Sequence, residues 1–532
     1  MRFVGLLLAA GLACAQNGMR TRTAAGLDSI DPARLKAELT FLSSDALAGR
    51  RSLETGSEVA IQWIASQFAI AGLTPAAGDS YLQPVPLIEF TADRMASSLV
   101  IEHAGKATAY HAPDAVSNFP NEVAVSGPIV FAGYGITAPE LGYDDYAGID
   151  VTGKVVLLFN HEPREDDETS IFNGRGNTRY ANNTYKAFNA QRHGAVAVLA
   201  MPDPGHQRGR GRGSRGAFAL TRPRIPSEAL AEGGPAIPLF TISTGIGAAL
   251  FDAAGKQPAA VQSAINAGPA PASFAIPDTR AELRPVISDR RRADSYNVAA
   301  LIEGSDPALR NETIVFSAHF DHDGTGPLGV LHGADDNGSG TVGVVELARA
   351  FARNPVKPRR SLLFIVFAAE ERGLLGSYYY VSHPLRPLAS TRAVINFDMI
   401  GRNEAADPRV QTAISPDTSN ELALIGTHYS PDYRAVVERN NQSIGLKLNY
   451  KWDRDSANSV LFRSDQYPFL LHDIPAVWWF TGFHPDYHQV TDTVDRINFS
   501  KMARILRLAY LSGFEFADDE HPPLLNPKAM AR

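Results

Sequence analysis

Cysteine is all but missing: one residue of 532, Cys14. It sits just after a short apolar run, Phe3 to Leu12, that follows Arg2 and is too short to span a bilayer. Ala13-Cys14-Ala15 fits the small-x-small pattern of signal peptidase cleavage before Gln16, so residues 1–15 read as a signal peptide and the chain as exported, periplasmic or secreted. The competing reading makes Cys14 the lipid-modified first residue of a lipoprotein, a sequence that Gly11 and Leu12 fit poorly. Cleavage leaves no cysteine, which excludes disulfides and thiolate chemistry and restricts any metal to His, Asp and Glu ligands. Long hydrophobic runs are also missing beyond the N-terminus, so no transmembrane segment is expected. An excess of positive charge is absent too. With a net charge of −7 and a pI near 6.1 there is no general attraction to nucleic acid or anionic membranes. What remains, 44% hydrophobic and 20% charged residues over a chain long for one core, describes a globular protein of two or three domains. Nothing in it speaks to oligomeric state.

Asp31-Pro32 opens a helix with Leu35, Leu39 and Leu42 on its apolar face, and a second helix follows Gly56, carrying Ala60, Trp63, Ile64, Phe68 and Ala71 to a stop at Gly72. Two amphipathic helices ahead of any long strand suggest the cover of a sheet. Residues 81–120 read as short β segments with polar turns. From 121 to 268 the pattern becomes that of a compact β-rich insert, with strands at 128–131, 154–159, 195–199 and 237–242 and a helix at 183–192. Its Gly/Arg run, Gly205 to Gly216, reads as a surface loop rather than an RNA contact. After about 290, strands at 298–302, 313–318, 362–367, 394–397 and 476–480 alternate with helices at 339–351 and near 421–428. That alternation predicts an α/β fold: a mixed, mainly parallel sheet with helices on both faces, built from 27–120 and 269–520 around the insert. Residues 521–532 read as a flexible tail. No internal repeat is present.

Between Ser317 and Asn403 the apolar runs end in SAHFDHDG, GADDNGSG, FAAEERG and NFDMIGRN. In open sheets of this class, sites form beyond the carboxyl ends of strands, and His319, Glu370, Glu371 and Asp398 all fall there. In extended chain His319 and Asp321 share a face, which suits a metal-bound imidazole and a carboxylate that fixes its tautomer; His322 faces the other way and is assigned no role. In Gly333 to Gly340, small residues flank Asp335-Asp336 before a helix, where a carboxylate could bridge two cations, although Asp-Asp-Asn-Gly is also a good turn and helix cap. Glu370 and Glu371 are adjacent and diverge, so a division of labour fits them, one on metal and one moving a proton. His488, in HPDYHQVTDT, supplies a second imidazole from far downstream.

Taken together these segments resemble the dinuclear zinc aminopeptidases of the aminopeptidase Y and bacterial leucyl aminopeptidase type, from SSDALAGR at Ser43 to YHQVTDTVDRI at Tyr487. FAGYGITAPELGYDDYAGIDVTGKVVLL, from Phe131, looks like a protease-associated domain. The resemblance implies two zinc ions: one held by His319 and Asp398, the other by Glu371 and His488, with Asp336 bridging. It further implies Glu370 as general base, Asp321 as the histidine-orienting carboxylate, Tyr487 as a phenol that steadies the oxyanion, and a cis peptide between Asp336 and Asn337. Many relatives carry His where this chain has Gln466, a departure placed with Asp453, Asp455 and the 323–331 loop among positions where specificity is set. The function implied is removal of N-terminal residues from peptides with a free N-terminus. Alternatives on the same fold are a carboxypeptidase-type relative, a single-zinc glutaminyl cyclase relative, and a non-catalytic binding protein.

Overall fold

The computed structural model describes residues 21–205, 226–268 and 272–526. The expected signal peptide and all but the first residue of the Gly/Arg run lie outside them, as do residues 527–532 of the expected flexible tail.

The larger sheet runs, edge to edge, through Ser227–Leu230, Leu82–Ala92, Ile287–Ile302, Ser361–Phe367, Thr313–His319, Thr391–Phe397, Ala476–Phe480, Glu421–Ile425 and Lys447–Asn449. Four consecutive strands, from Ser361–Phe367 to Ala476–Phe480, are parallel, and the pairings flanking them are antiparallel. Every residue of Ser361–Phe367 is buried, as expected of a strand covered on both sides. Its side chains divide by the two-residue period: Leu362, Phe364 and Val366 enter one core with the helices Pro32–Leu42, Thr55–Ile70, Gly340–Arg353 and Phe499–Asp518, whereas Leu363, Ile365 and Phe367 enter another with Tyr380, Phe469 and Leu470. The two N-terminal helices therefore do cover the sheet.

One expected element is of the other type. Residues 421–428 were read as helix, but Glu421–Ile425 is a strand, antiparallel to Ala476–Phe480 and ended by Gly426 at φ 99°. Leucine and alanine favour helix, yet a five-residue run buried at every position shows neither period, and pairing with its neighbour decides the matter. The helices Pro431–Ile444 and Phe499–Asp518 went unassigned in the sequence.

A second, eight-stranded sheet takes strands at Ser98–His103, Lys106–Tyr110 and Ala115–Ser117 from before residue 121 and Phe274–Arg284 from after 268, while Ser227–Leu230 leaves it to pair with Leu82–Ala92 in the larger sheet. Its core is separate, centred on Phe131, Phe159 and Phe251. The two units are pinned by Arg179, which is 7% exposed: its guanidinium donates to Leu470 O (2.7 Å) and Asp473 (2.6 Å), its N–H donates to the Tyr429 hydroxyl (2.7 Å), and its carbonyl accepts from Tyr467 (2.8 Å).

Gly513 lets the last helix lie flat against the strand that carries His319. A Cβ there would sit 2.2 Å from Phe316 Cζ, and that ring is itself wedged against Phe364 and Phe351 at 5.1 and 5.4 Å. On an exposed helix Gly→Ala stabilises by about 1 kcal/mol; here overpacking of about 1–3 kcal/mol opposes it. Gly513→Ala is expected to lower the Tm, and a raised Tm in thermal unfolding would show that the ring yields.

Candidate metal centre

The ligand-bearing segments leave the parallel strands at one edge. His319 ends its strand and Asp398 directly follows Phe397. Glu370 and Glu371 lie in a short turn after Phe367, Asp336 lies in the turn before Gly340–Arg353, and His488 follows the Ala476–Phe480 strand. The 334–339 turn is built on a tight reversal: Gly333 has φ 54°, and a Cβ there would meet Asp336 O at 2.1 Å. The Asp336–Asn337 peptide is cis. Asn337 then ties this turn to the neighbouring strand end, donating to Phe397 O (2.9 Å) and accepting from Met399 N (3.3 Å). Asp492 accepts from the N–H groups of Asp335 and Asp336 at 3.0 and 3.1 Å.

Two sets of donors converge. His319 Nε2 lies 3.6 Å from Asp336 Oδ1, 3.6 Å from Asp398 Oδ2 and 3.7 Å from Glu370 Oε2. On the other side, His488 Nε2 lies 3.1 Å from Asp336 Oδ2 and 3.6 Å from Glu371 Oε1. Asp336 thus turns one oxygen to each set. Bonds of about 2.0–2.2 Å arranged tetrahedrally put ligand atoms about 3.4 Å apart, which these separations approach. His319 Nε2 is buried without a hydrogen-bond partner, the condition of a ligand atom aimed at a cation. The donors are nitrogen and oxygen only, which suits zinc. The residues present fit a metal pair.

The charges call for one. Burial, then repulsion from Asp398 and Glu371, pushes the Glu370 carboxyl well above its ordinary range. Burial, with Glu371 and Asp398, does the same to Asp336. Burial also raises Glu371, but His488 and His322 outweigh it and hold that group below its usual value. Burial lowers His319, yet Asp398 and Asp321 bring it to about 10. Crowded carboxylates in a dry space take up protons unless cations replace them.

Asp321 proves chiefly a backbone anchor. Its two oxygens accept the N–H groups of Glu370 (3.0 Å) and Glu371 (3.2 Å), fixing the acidic pair, while Oδ1 is 3.7 Å from His319 Nδ1. His319 Nδ1 is nearer the Asp321 carbonyl, at 3.2 Å. Tyr487 stands edge-on to the His488 ring, centroids 4.0 Å apart, on the wall of the cleft.

Sequence reasoning missed three participants. His322, given no role, is buried with Nδ1 2.9 Å from Glu371 Oε1 and its Nε2 unpaired; with Glu371 and His488 it forms a second cluster of three donors. The alternation that turned it away assumes extended chain through residue 322, but the strand ends at His319 and His322 N donates to Arg50 O. Asp323, expected in a specificity loop, holds His488 Nδ1 at 2.6 Å and pairs with Arg372 at 2.9 Å. Arg50 is 1% exposed and donates to four carbonyls, Phe320 (2.8 Å), Leu42 (2.6 Å), His332 (2.8 Å) and Gly333 (2.9 Å), so one guanidinium clamps both the His319 and the Asp336 loops. SSDALAGR carried that signal in its last residue.

Two positions expected to set specificity are placed elsewhere. Asp453 is buried and spent on Gly426 N and Thr427 Oγ1, and Gln466 is buried and donates to Leu461 O. The cleft, about 230 Å³, is walled instead by Met399, Phe462, Trp478 and Phe483, with Arg463 at its edge.

Residues 297–512 match the sequence profile of peptidase family M28. Leucine aminopeptidase 2 of Arthroderma otae is 29% identical over 234 residues, covering 40% of this chain and 43% of that protein. A probable leucine aminopeptidase 2 of Aspergillus oryzae is 32% identical over 199 residues, 37% and 36% of the two chains. This chain therefore spans less than half the length of these relatives. Among solved structures, an aminopeptidase from Aneurinibacillus sp. strain AM-1 aligns over 96% of this chain and 98% of its own at 18% identity and a TM-score of 0.46. BSAP, a zinc aminopeptidase from Bacillus subtilis, aligns over 92% and 96% at 19% identity and a TM-score of 0.44.

Arg50→Lys keeps the charge but replaces a planar fork by a point donor. Buried carbonyls left without a partner cost about 1–3 kcal/mol each, so a loss of about 3 kcal/mol or more is expected in urea unfolding, with faster metal loss on dialysis. Stability and metal retention equal to those of the unaltered protein would show that the clamp is dispensable.

Proposed function

We propose that this chain, a member of peptidase family M28 by its residues 297–512, is an exported two-zinc aminopeptidase that removes apolar N-terminal residues from peptides. The observation that carries the reading is Asp336, whose two carboxylate oxygens face two separate donor sets at 3.6 and 3.1 Å. His319 and Asp398 would hold one ion and Glu371 and His488 the other, with Asp336 between them and His322 steering Glu371. Bound there, the pair supplies the Lewis acidity that polarises a carbonyl and acidifies a water.

The remaining steps belong to the chain. Glu370 reaches the space between the donor sets without being needed as a ligand, and its backbone is fixed by Asp321. It takes the proton of the attacking water and returns it to the leaving amine. The Tyr487 hydroxyl donates to the oxyanion as the carbonyl carbon becomes tetrahedral. Trp478, whose Nε1 donates to Asp398 O at 2.8 Å, walls the pocket for the side chain being released.

A cleft of about 230 Å³ takes the end of a peptide rather than a chain passing through, and its aromatic and Met walls suit an apolar side chain. The curated relatives named leucine aminopeptidase support the same direction of attack. Arg463 at the cleft edge favours the second reading, a carboxypeptidase, since it offers the cation that a terminal carboxylate needs. Export rests on the Phe3–Leu12 run and Ala13-Cys14-Ala15, and the second-sheet unit is taken as a protease-associated insert. No described helix is long and apolar enough to cross a membrane.

Glu370→Gln should retain its metals while kcat falls by about 10²–10⁴-fold; substantial turnover would remove the role of base from Glu370. Elemental analysis should find about two zinc ions per chain, the number such sites use, and Asp336→Asn should lower both together. Free, N-acetylated and C-amidated forms of one peptide separate the two readings. An aminopeptidase cleaves the free and amidated forms; a carboxypeptidase cleaves the free and acetylated ones.

A further inference from the structure

Beside the metal cleft lies a larger hollow of about 360 Å³ in the seam between the two sheet units. Phe119, Phe188 and Leu239 wall it from one side, and Leu230, Leu375 and Tyr378 from the other. The rings of Phe188 and Tyr378 stand 6.2 Å apart. Gly373 forms part of the wall of both the hollow and the cleft, two residues beyond Glu371. The two spaces are therefore consecutive along the Glu370–Gly373 turn.

We propose that this groove binds the portion of an extended peptide substrate that lies beyond the cleaved bond, and that it selects an apolar side chain there. The inference rests on the aminopeptidase reading and adds to it the region of substrate recognised by the second-sheet unit. With an N-terminal residue in the cleft, the rest of the peptide must leave past the catalytic turn, and the groove opens at that turn. Its walls are aromatic and aliphatic, matched to an apolar side chain. Polar capacity remains unspent at the same end. Glu228 is only 6% exposed; Ser52 and the charge of Arg372 act on its carboxylate, but neither oxygen accepts a hydrogen bond of ordinary geometry, and Arg372, whose Nη2 is held by Asp323, keeps its Nε unpaired. One unspent acceptor and one unspent donor are what a peptide group can satisfy.

The test compares Leu-p-nitroanilide, Leu-Gly-Gly-Gly and Leu-Gly-Phe-Gly on the full-length, metal-loaded protein and its Phe188→Ala variant. Phe188 is half-buried and lines the groove but not the metal cleft. Burying even part of a phenylalanine side chain supports a KM about five- to tenfold lower for the Phe peptide than for the Gly peptide. In Phe188→Ala that advantage should shrink to about twofold or less, with kcat/KM for Leu-p-nitroanilide unchanged. Ile237→Glu, which places a charge in the same groove, should act likewise and serves if the first variant folds poorly. Equal KM for the two tetrapeptides in the unaltered protein, or a Phe preference that survives both substitutions, would overturn the groove while leaving the aminopeptidase intact. Failure to release leucine from any of the three substrates would remove the aminopeptidase reading itself, and this inference with it.

Discussion

Negative charge concentrated in a dry space is the constraint from which this structure follows. Asp321, Asp336, Glu370, Glu371 and Asp398 crowd one edge of the parallel sheet, all withdrawn from water or nearly so. Such a group survives ionised only where positive charge or directed N–H groups meet it. The chain answers with Arg50, which burial pulls down to about 10 but which Asp492, Asp321 and Asp336 help to keep charged. It answers also with Arg372 on Asp323 and with backbone N–H groups on Asp321 and Asp492. The charge that remains at the centre is what bound metal would neutralise.

The same constraint explains why two adjacent glutamates differ. Both N–H groups are tied to Asp321, so the turn cannot swing, and the difference lies in what each carboxylate meets. Glu371 faces His322 and His488, and positive partners favour its charged form. Glu370 faces Asp398 and Asp336 instead, neighbours that favour its holding a proton. One position favours the ionised form and the other the protonated form, with no difference in residue type.

What could be read from sequence follows the physics of each signal. Ser361–Phe367 and Thr391–Phe397 were legible because a strand buried on both faces must be a continuous apolar run, and the residue after it must leave the sheet. His319, Glu370, Glu371 and Asp398 were legible as candidates for the same reason, since they lie at or just past strand ends. Glu421–Ile425 was not, because its type is set by pairing with Ala476–Phe480 and not by its own period. His322 was not, because its side depends on where the strand stops. Arg50 acts through carbonyls up to 283 positions away, and no local pattern announces that. The reach of the second sheet into 98–117 and 274–284 was hidden likewise: short strands with polar turns do not say which sheet they join.

On the proposed reading, selectivity and chemistry would be supplied by different parts of the chain joined at one turn. Residues 370–373 carry the proposed base, a proposed metal ligand, an arginine that braces the loop behind His488 through Asp323, and a glycine on the boundary of cleft and groove. The chemistry on one side of that turn is held by strand ends, whose positions are fixed by the core. The wall on the other side comes partly from the second-sheet unit, which is tied through Arg179 to its partners on the larger-sheet unit. Packing of the second unit can therefore change without moving a single metal ligand. A fold arranged in this way can vary the wall of the groove while the buried charge, which tolerates little change, stays as it is.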